Sequence, residues 1–137
     1  MQDFAHPILK HDYTSEWLGI QVDHAEFGRA EIRMTIKREM LNGFGISHGG
    51  MIFAFADTCF ALACNDPNGD GKTVTVASGA DVNFIAPTYE GQELRAVGTV
   101  RSQQGRSGLY DIQVFSGDKV IAEFRGRSRT IPAPSND

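Results

Sequence analysis

The chain has 137 residues, 41% of them hydrophobic, which suits one compact domain with a genuine core and leaves little room for a second. Its 13 basic and 17 acidic residues are mixed along the sequence for a net charge of −4, which gives no electrostatic footprint for a nucleic-acid backbone or an anionic membrane; no nucleic-acid or membrane partner is expected. The N-terminus, MQDFAHPILKHD, lacks the basic start and continuous apolar core of a secretory signal, and the longest apolar run is too short to span a bilayer, so a cytoplasmic location is expected.

In chain order, HPILKHDYTSEWLGI predicts a short helix with Leu9, Tyr13 and Trp17 on one face. Residues 20–37 alternate apolar and polar side chains on either side of Phe27-Gly28-Arg29, the pattern of two strands joined by a tight turn, with Ala30, Ile32, Met34 and Ile36 sharing a face. Residues 38–48, REMLNGFGISH, have two glycines, an asparagine and no period, and predict a loop leading into a central helix. The helix runs from about Gly49 through MIFAFADTCFALAC and is stopped by NDPNGDG. Four strands follow, over 73–87, 93–103, 107–115 and 119–131. A single domain over 1–131 is expected, with a disordered tail over 132–137.

This order predicts an α+β fold, an antiparallel sheet packed on one long helix. The helix is apolar nearly all the way round, and one sheet cannot cover every side of it. Its remaining face is expected to meet a second copy, giving a homodimer or a dimer of dimers. Cys59 and Cys64 point well over a quarter-turn apart on that helix and cannot bridge, so they are expected to be reduced core residues. His6, His11 and His24 have no metal-ligand spacing, and no metal is expected.

Within the run 51–64 only Asp57 and Thr58 are not apolar. A carboxylate there loses several kcal/mol of solvation unless something compensates, which marks it as useful. SHGG at 47–50 opens the same helix, and its glycines can bring bare N–H groups against a ligand at the positive end of the helix dipole. An acid and an oxyanion site on one element suggest acyl chemistry. The alternative for Asp57 is a structural carboxyl bonded to a neighbouring loop, and for His48 a simple helix cap. Phe53, Phe55 and Phe60 are read as core, whereas Phe44 in the loop is a candidate wall for an acyl pocket.

The string MLNGFGISHGGMIFAFADTCFALACN (40–65), with DVNFIAP (81–87), GLYDIQV (108–114) and FRGRS (124–128), resembles the acyl-CoA thioesterases of the hotdog fold, specifically the branch associated with phenylacetate degradation. The resemblance implies a curled sheet wrapped around the long helix, subunits paired edge to edge, and active sites at the dimer interface. It implies Asp57 as nucleophile or general base, the Gly49 N–H as oxyanion donor, Asn42 as a side-chain contact and His48 as a shaper of the loop. Gly50 and Thr58 beside these residues, Phe44, and Ser78 from the strand after the helix are expected to contact substrate. Coenzyme A carries phosphates, and Arg101, Arg106, Arg125 and Arg127 are the candidate partners, the alternative being a solvated sheet face. No cofactor is implied, the coenzyme A thioester being the substrate. Hydrolysis of an aromatic acyl-CoA such as phenylacetyl-CoA or a hydroxylated or ring-modified form is the leading expectation. An aliphatic acyl-CoA substrate and a non-catalytic acyl-CoA-binding module are the alternatives. The Asp and His some five apart that hotdog hydratases carry on this helix are absent.

Overall fold

The alternation of apolar side chains sets the sheet. In a computed structural model describing residues 6–134, α1 (Tyr13–Leu18) is followed by β1 (Gln21–Glu26), β2 (Arg29–Thr35), α2 (Gly49–Cys64), β3 (Thr73–Phe84), β4 (Glu93–Gln104), β5 (Ser107–Ser116) and β6 (Lys119–Pro132). The six strands form one antiparallel sheet in the order β1-β2-β4-β5-β6-β3. Ala30, Ile32 and Met34 of β2 are buried, as are Leu94 and Ala96 of β4, Tyr110, Ile112 and Val114 of β5, and Ala122 and Phe124 of β6. Cross-strand register lines these up in rows, Ile32 beside Ala96, Val114 and Ala122, so that each row presents one apolar stripe to the helix. Register breaks interrupt every strand pair except β2–β4, and bulges of this kind add the bend by which the sheet curls around α2.

Two glycines let the helix sit down on the sheet backbone. A Cβ on Gly98 would lie 3.2 Å from the Cys59 sulfur and 3.1 Å from Ile112, and one on Gly126 would lie 2.8 Å from the Phe60 ring. Cys59 and Phe60 occupy the space that those side chains would take. Phe60 also meets Tyr110 and Phe124 at ring-centroid distances of 5.6 and 5.8 Å. Both cysteines are free and buried, as expected.

The end of α2 is stitched to its surroundings by Asn65. Its amide donates to the carbonyls of Ala61 and Thr75 while its Oδ1 accepts from the Thr75 N–H, tying the last turn to the start of β3. His6, buried, donates from Nε2 to the Asn65 carbonyl at 3.1 Å and accepts the Ile8 N–H at Nδ1. That bonding needs the neutral ring, and burial holds its pKa below the ordinary 6.5.

Several expectations are corrected. The opening helix is two pieces, a 3₁₀ turn Pro7–Leu9 and α1, because Asp12 caps a new start by accepting the Ser15 N–H. The loop 38–48 contains a 3₁₀ turn, Arg38–Met40. Strand β3 stops at Phe84, after which the N–H groups of Ile85 and Ala86 both go to the Ile121 carbonyl. Pro132 still belongs to β6 and the Ala133 N–H donates to Lys72, so order continues past the expected start of the tail; residues 135–137 lie outside the described residues. Phe53 is not core: it is 37% exposed.

Candidate active site

His48 begins α2 with extended backbone and accepts the Gly50 N–H at its Nδ1, 3.3 Å away. The Gly50 N–H is therefore taken by the cap, and the Gly49 N–H makes no hydrogen bond among the described residues. This bare donor sits at the positive end of a sixteen-residue helix. Beside it opens a cavity of about 430 Å³ with Asn42, Ile46, Ile52, Phe84, Ile85 and Ile121 in its wall. Its floor is held by Ser47, whose N–H and hydroxyl both donate to the Thr88 carbonyl while the Thr88 hydroxyl donates to the Ser47 Oγ at 2.7 Å.

Asn42 is in this cavity, and its carbonyl oxygen is already committed: Oδ1 accepts the N–H of Phe44 at 2.9 Å and of Ile46 at 3.4 Å, an Asx turn that shapes the loop. Its NH₂ group has no partner among the described residues and remains as a donor. Phe44, expected in the pocket wall, is instead 89% exposed at the loop tip. The aromatic at the cavity is Phe84, which the sequence reading misses; its ring lies 3.1 Å from where a Cβ on Gly49 would be. No local signal marks it, since the contact depends on how β3 docks beside the start of α2.

Asp57, itself half-buried, lies on a stripe of α2 that the described residues leave open, with Gly50 and Phe53 exposed and Met51, Ala54 and Ala61 partly so. Its carboxylate accepts no hydrogen bond from a described residue. Burial raises its proton affinity above the usual aspartate range, and the negative charge of Asp12 raises it further. Asp57 and Gly49 are separated by more than two turns of α2, about 12 Å along its axis, and Asp57 does not line the Gly49 cavity.

Thr58, expected to contact substrate, does not share the open stripe with Asp57. The turn of the helix carries it inward, where it is buried and its hydroxyl is 2.9 Å from the buried Ser15 Oγ. Ser78 is the extra residue at the β3 bulge, is exposed, and donates to the Arg127 carbonyl. With Arg127, Ser102, Ser107 and Ser128 it lines a separate polar cavity of about 380 Å³. The hydroxyl of Ser128, in its lining, and that of Tyr110 are buried with no protein partner among the described residues.

Three of the four candidate arginines are ion-paired on the sheet surface. Arg125 forms a two-pronged bond to Asp111, at 2.7 and 2.9 Å, directly across the β5–β6 ladder, and Arg101 joins the same carboxylate at 3.3 Å. These partners hold the Asp111 carboxyl below its ordinary pKa, chiefly through the Arg125 hydrogen bonds. Arg127 pairs with Asp81 at 3.3 Å. Arg106, in the β4–β5 turn beside the polar cavity, is the one of the four without an ion pair among the described residues.

Among the described residues no group of three or more His, Cys, Asp or Glu is placed to hold a metal, and no helix is long and apolar enough to cross a membrane.

Comparison with known proteins agrees with this architecture. The acyl-coenzyme A thioesterase PaaI of Escherichia coli K12 is 38% identical over 93% of this chain and 89% of its own length. The structure of the E. coli PaaI protein from the phenylacetic acid degradation operon superposes with a TM-score of 0.85 at 37% identity, covering 92% of this chain and 89% of that one. A single-substitution mutant of the phenylacetic acid degradation protein PaaI from Thermus thermophilus gives a TM-score of 0.79 at 29% identity over 86% of this chain and 98% of that one. Residues 44–123, from the Asn42 loop to the middle of β6, match the thioesterase superfamily, and the chain belongs to that family as a thioester hydrolase of the hotdog fold.

Proposed function

We propose that this protein hydrolyses an aromatic acyl-CoA, phenylacetyl-CoA or a hydroxylated or ring-modified form, to the free acid and coenzyme A, in a site shared between two copies of the chain. The observation that carries the reading is the separation of the two reacting groups. The free Gly49 N–H faces an apolar cavity, and the unpartnered Asp57 carboxylate lies about 12 Å along the same helix on an uncovered stripe. One chain cannot bring both to one carbonyl. A second copy laid against the stripe supplies Gly49 to its partner's Asp57 and covers Phe53, and the long edge strand β3, exposed along most of its length, continues the same surface. A dimer of dimers is the further assembly expected of this arrangement.

In the shared site the thioester oxygen accepts from the Gly49 N–H, worth roughly 3 kcal/mol of barrier for one preorganised donor, with the Asn42 NH₂ as a second contact. Asp57 either takes a proton from the attacking water or attacks the carbonyl itself, forming a mixed anhydride that water then opens. In both routes the C–S bond breaks and the sulfur leaves as thiolate, and with a leaving-group pKa of roughly 8.5 it needs no acid to protonate it. The chemistry as proposed asks for no metal and no cofactor. The isoleucines and Phe84 of the 430 Å³ cavity suit a flat ring, and the polar cavity near Ser78, Arg106 and Arg127 suits the phosphate-bearing end of coenzyme A. E. coli PaaI, an acyl-coenzyme A thioesterase from a phenylacetic acid degradation operon, supports the aryl substrate, and a cytoplasmic setting goes with it.

A panel of aryl and alkyl acyl-CoAs assayed by thiol release tests the substrate, and a preference for straight alkyl chains would turn the reading to the aliphatic alternative. Mixing tests the shared site. Asp57→Asn and Gly49→Val are each expected to be inactive alone, and subunit exchange between them should restore about a quarter of parental activity, because each mixed dimer regains one intact site. No recovery after demonstrated exchange would sink it.

A further inference from the structure

A two-fold axis makes every contact reciprocal: where a first residue of one copy meets a second residue of the other, the second of the one also meets the first of the other. In the shared site proposed above, Gly49 of one copy faces Asp57 of the other across the open stripe of α2, so the two helices cross antiparallel and the axis passes beside the residue midway between them. That residue is Phe53, four positions from each. Of the large apolar side chains on α2 it is the one that the described residues leave exposed, at 37%.

Its ring is held in place. Phe53 meets Phe124 of β6 nearly edge-on with ring centroids 5.2 Å apart, and Phe124 is buried against Phe60, so the core fixes the direction in which Phe53 leaves the helix. It points toward β6 and the neighbouring β3, the sheet edge that continues the proposed contact surface. Gly50 and Ala54 flank it on the stripe with almost no side chain, which lets a second helix approach to about 8 Å and leaves room for a second ring.

We infer that Phe53 is a positioning residue for the hydrolysis: the Phe53 rings of two copies meet on the two-fold axis between the two reaction centres, and their bulk sets the gap in which each thioester carbon fits between a Gly49 N–H and the Asp57 of the other copy. The inference rests on the shared site proposed above. Each reaction centre lies about 6 Å along the helix from the axis, close enough for the ring pair to govern its width. Attack on the carbon and the contact to its oxygen both need distances near 3 Å, and a displacement of roughly 1 Å can cost about 100-fold in rate. Phe53 touches neither reacting group and acts through the spacing of the two helices.

The test is cross-linking of Phe53→Cys under mild oxidation, read as covalent dimer on a non-reducing gel. Only at the axis do equivalent Cα atoms of two closely packed helices come within the roughly 7 Å that a disulfide spans, so Phe53→Cys is expected to convert mostly to dimer and the parent, whose Cys59 and Cys64 are buried, hardly at all. Ala54→Cys, a small change one residue from the axis, is expected to bridge too and guards against misfolding of Phe53→Cys. Ala61→Cys lies on the same stripe, but its two copies are about 24 Å apart along the helices, and it is expected not to bridge. Activity is the second readout. Phe53→Ala, assayed where sedimentation shows it dimeric, should lose at least about tenfold in kcat for phenylacetyl-CoA with KM within about twofold of the parent's, and Phe53→Leu should recover most of the loss. The mixing of Asp57→Asn with Gly49→Val is run alongside. Recovered activity there with no dimer from Phe53→Cys or Ala54→Cys, or with Ala61→Cys bridging as readily, overturns the placement of Phe53 while the shared site stands. Bridging at Phe53→Cys with parental kcat in Phe53→Ala overturns its positioning role. No recovery on mixing overturns instead the reading beneath both.

Discussion

The inward face of α2 sets Cys59 and Phe60 onto the glycine floor of Gly98 and Gly126, whereas its outward stripe carries Phe53, 37% exposed although its ring meets that of Phe124, and the half-buried Asp57, to which no described residue donates a hydrogen bond. The first face is determined by contact to within tenths of an ångström. The second is under-determined by one copy and is where an ionisable group lacks a hydrogen-bond partner. On the proposed function, stability and chemistry are divided between two sides of one helix, and a substitution should report on one or the other according to the side it falls on.

The sharpest division is expected at Asp57. Asp57→Asn should lower kcat by about 10³-fold or more, the scale of a lost general base, while leaving the fold intact. It should also make the protein more stable. The raised proton affinity of Asp57 means that the folded state loses stability as pH rises above the ordinary 3.8 through the folded value, and Asn removes that cost. Melting curves at neutral pH and below pH 3.8 check the sign, the difference between variant and parent vanishing at the acid end.

Gly126→Val attacks the other side. Its side chain collides with the Phe60 ring, and a loss of roughly 3 kcal/mol or outright failure to fold is expected in denaturant titration. A Gly126→Val protein as stable as the parent would show that the helix does not sit where the comparison requires. Thr58→Val should cost about 1 kcal/mol by removing the donor that the buried Ser15 hydroxyl accepts, far less than Asp57→Asn costs in rate although the two residues are neighbours.

The smallest effect comes from the end of the helix. His6 is bonded as the neutral ring and its pKa is lowered, so its contribution is fully present above 6.5 and is lost as pH falls from 6.5 toward the folded value. Melting temperature measured through that window should fall with acid, and His6→Gln should flatten the dependence.

Much of this division is legible in the residues. Period-two alternation marks β2 and β6, NDPNGDG marks the end of α2, and the greasy helix with one acid marks both the stripe and Asp57. The misplacements have a common cause. Thr58 groups with Asp57 by adjacency, yet a helix turns about 100° per residue, and that rotation carries Thr58 to Ser15. Phe84 against Gly49 and Arg125 against Asp111 depend on strand register, which a single sequence does not encode locally. Phe44 lies in the right loop, but the Asx turn at Asn42 throws it outward.

The glycine floor also limits how such a protein can diverge. With α2 seated on bare backbone at two points, the helix has no freedom to slide or rotate to admit a bulkier or longer acyl group. New preferences are expected instead in the rim of the cavity, at residues such as Ile46, Phe84 and Ile85, on the two segments that the Ser47–Thr88 bonds hold together. Descendants of this scaffold should keep the engine and swap the mouth.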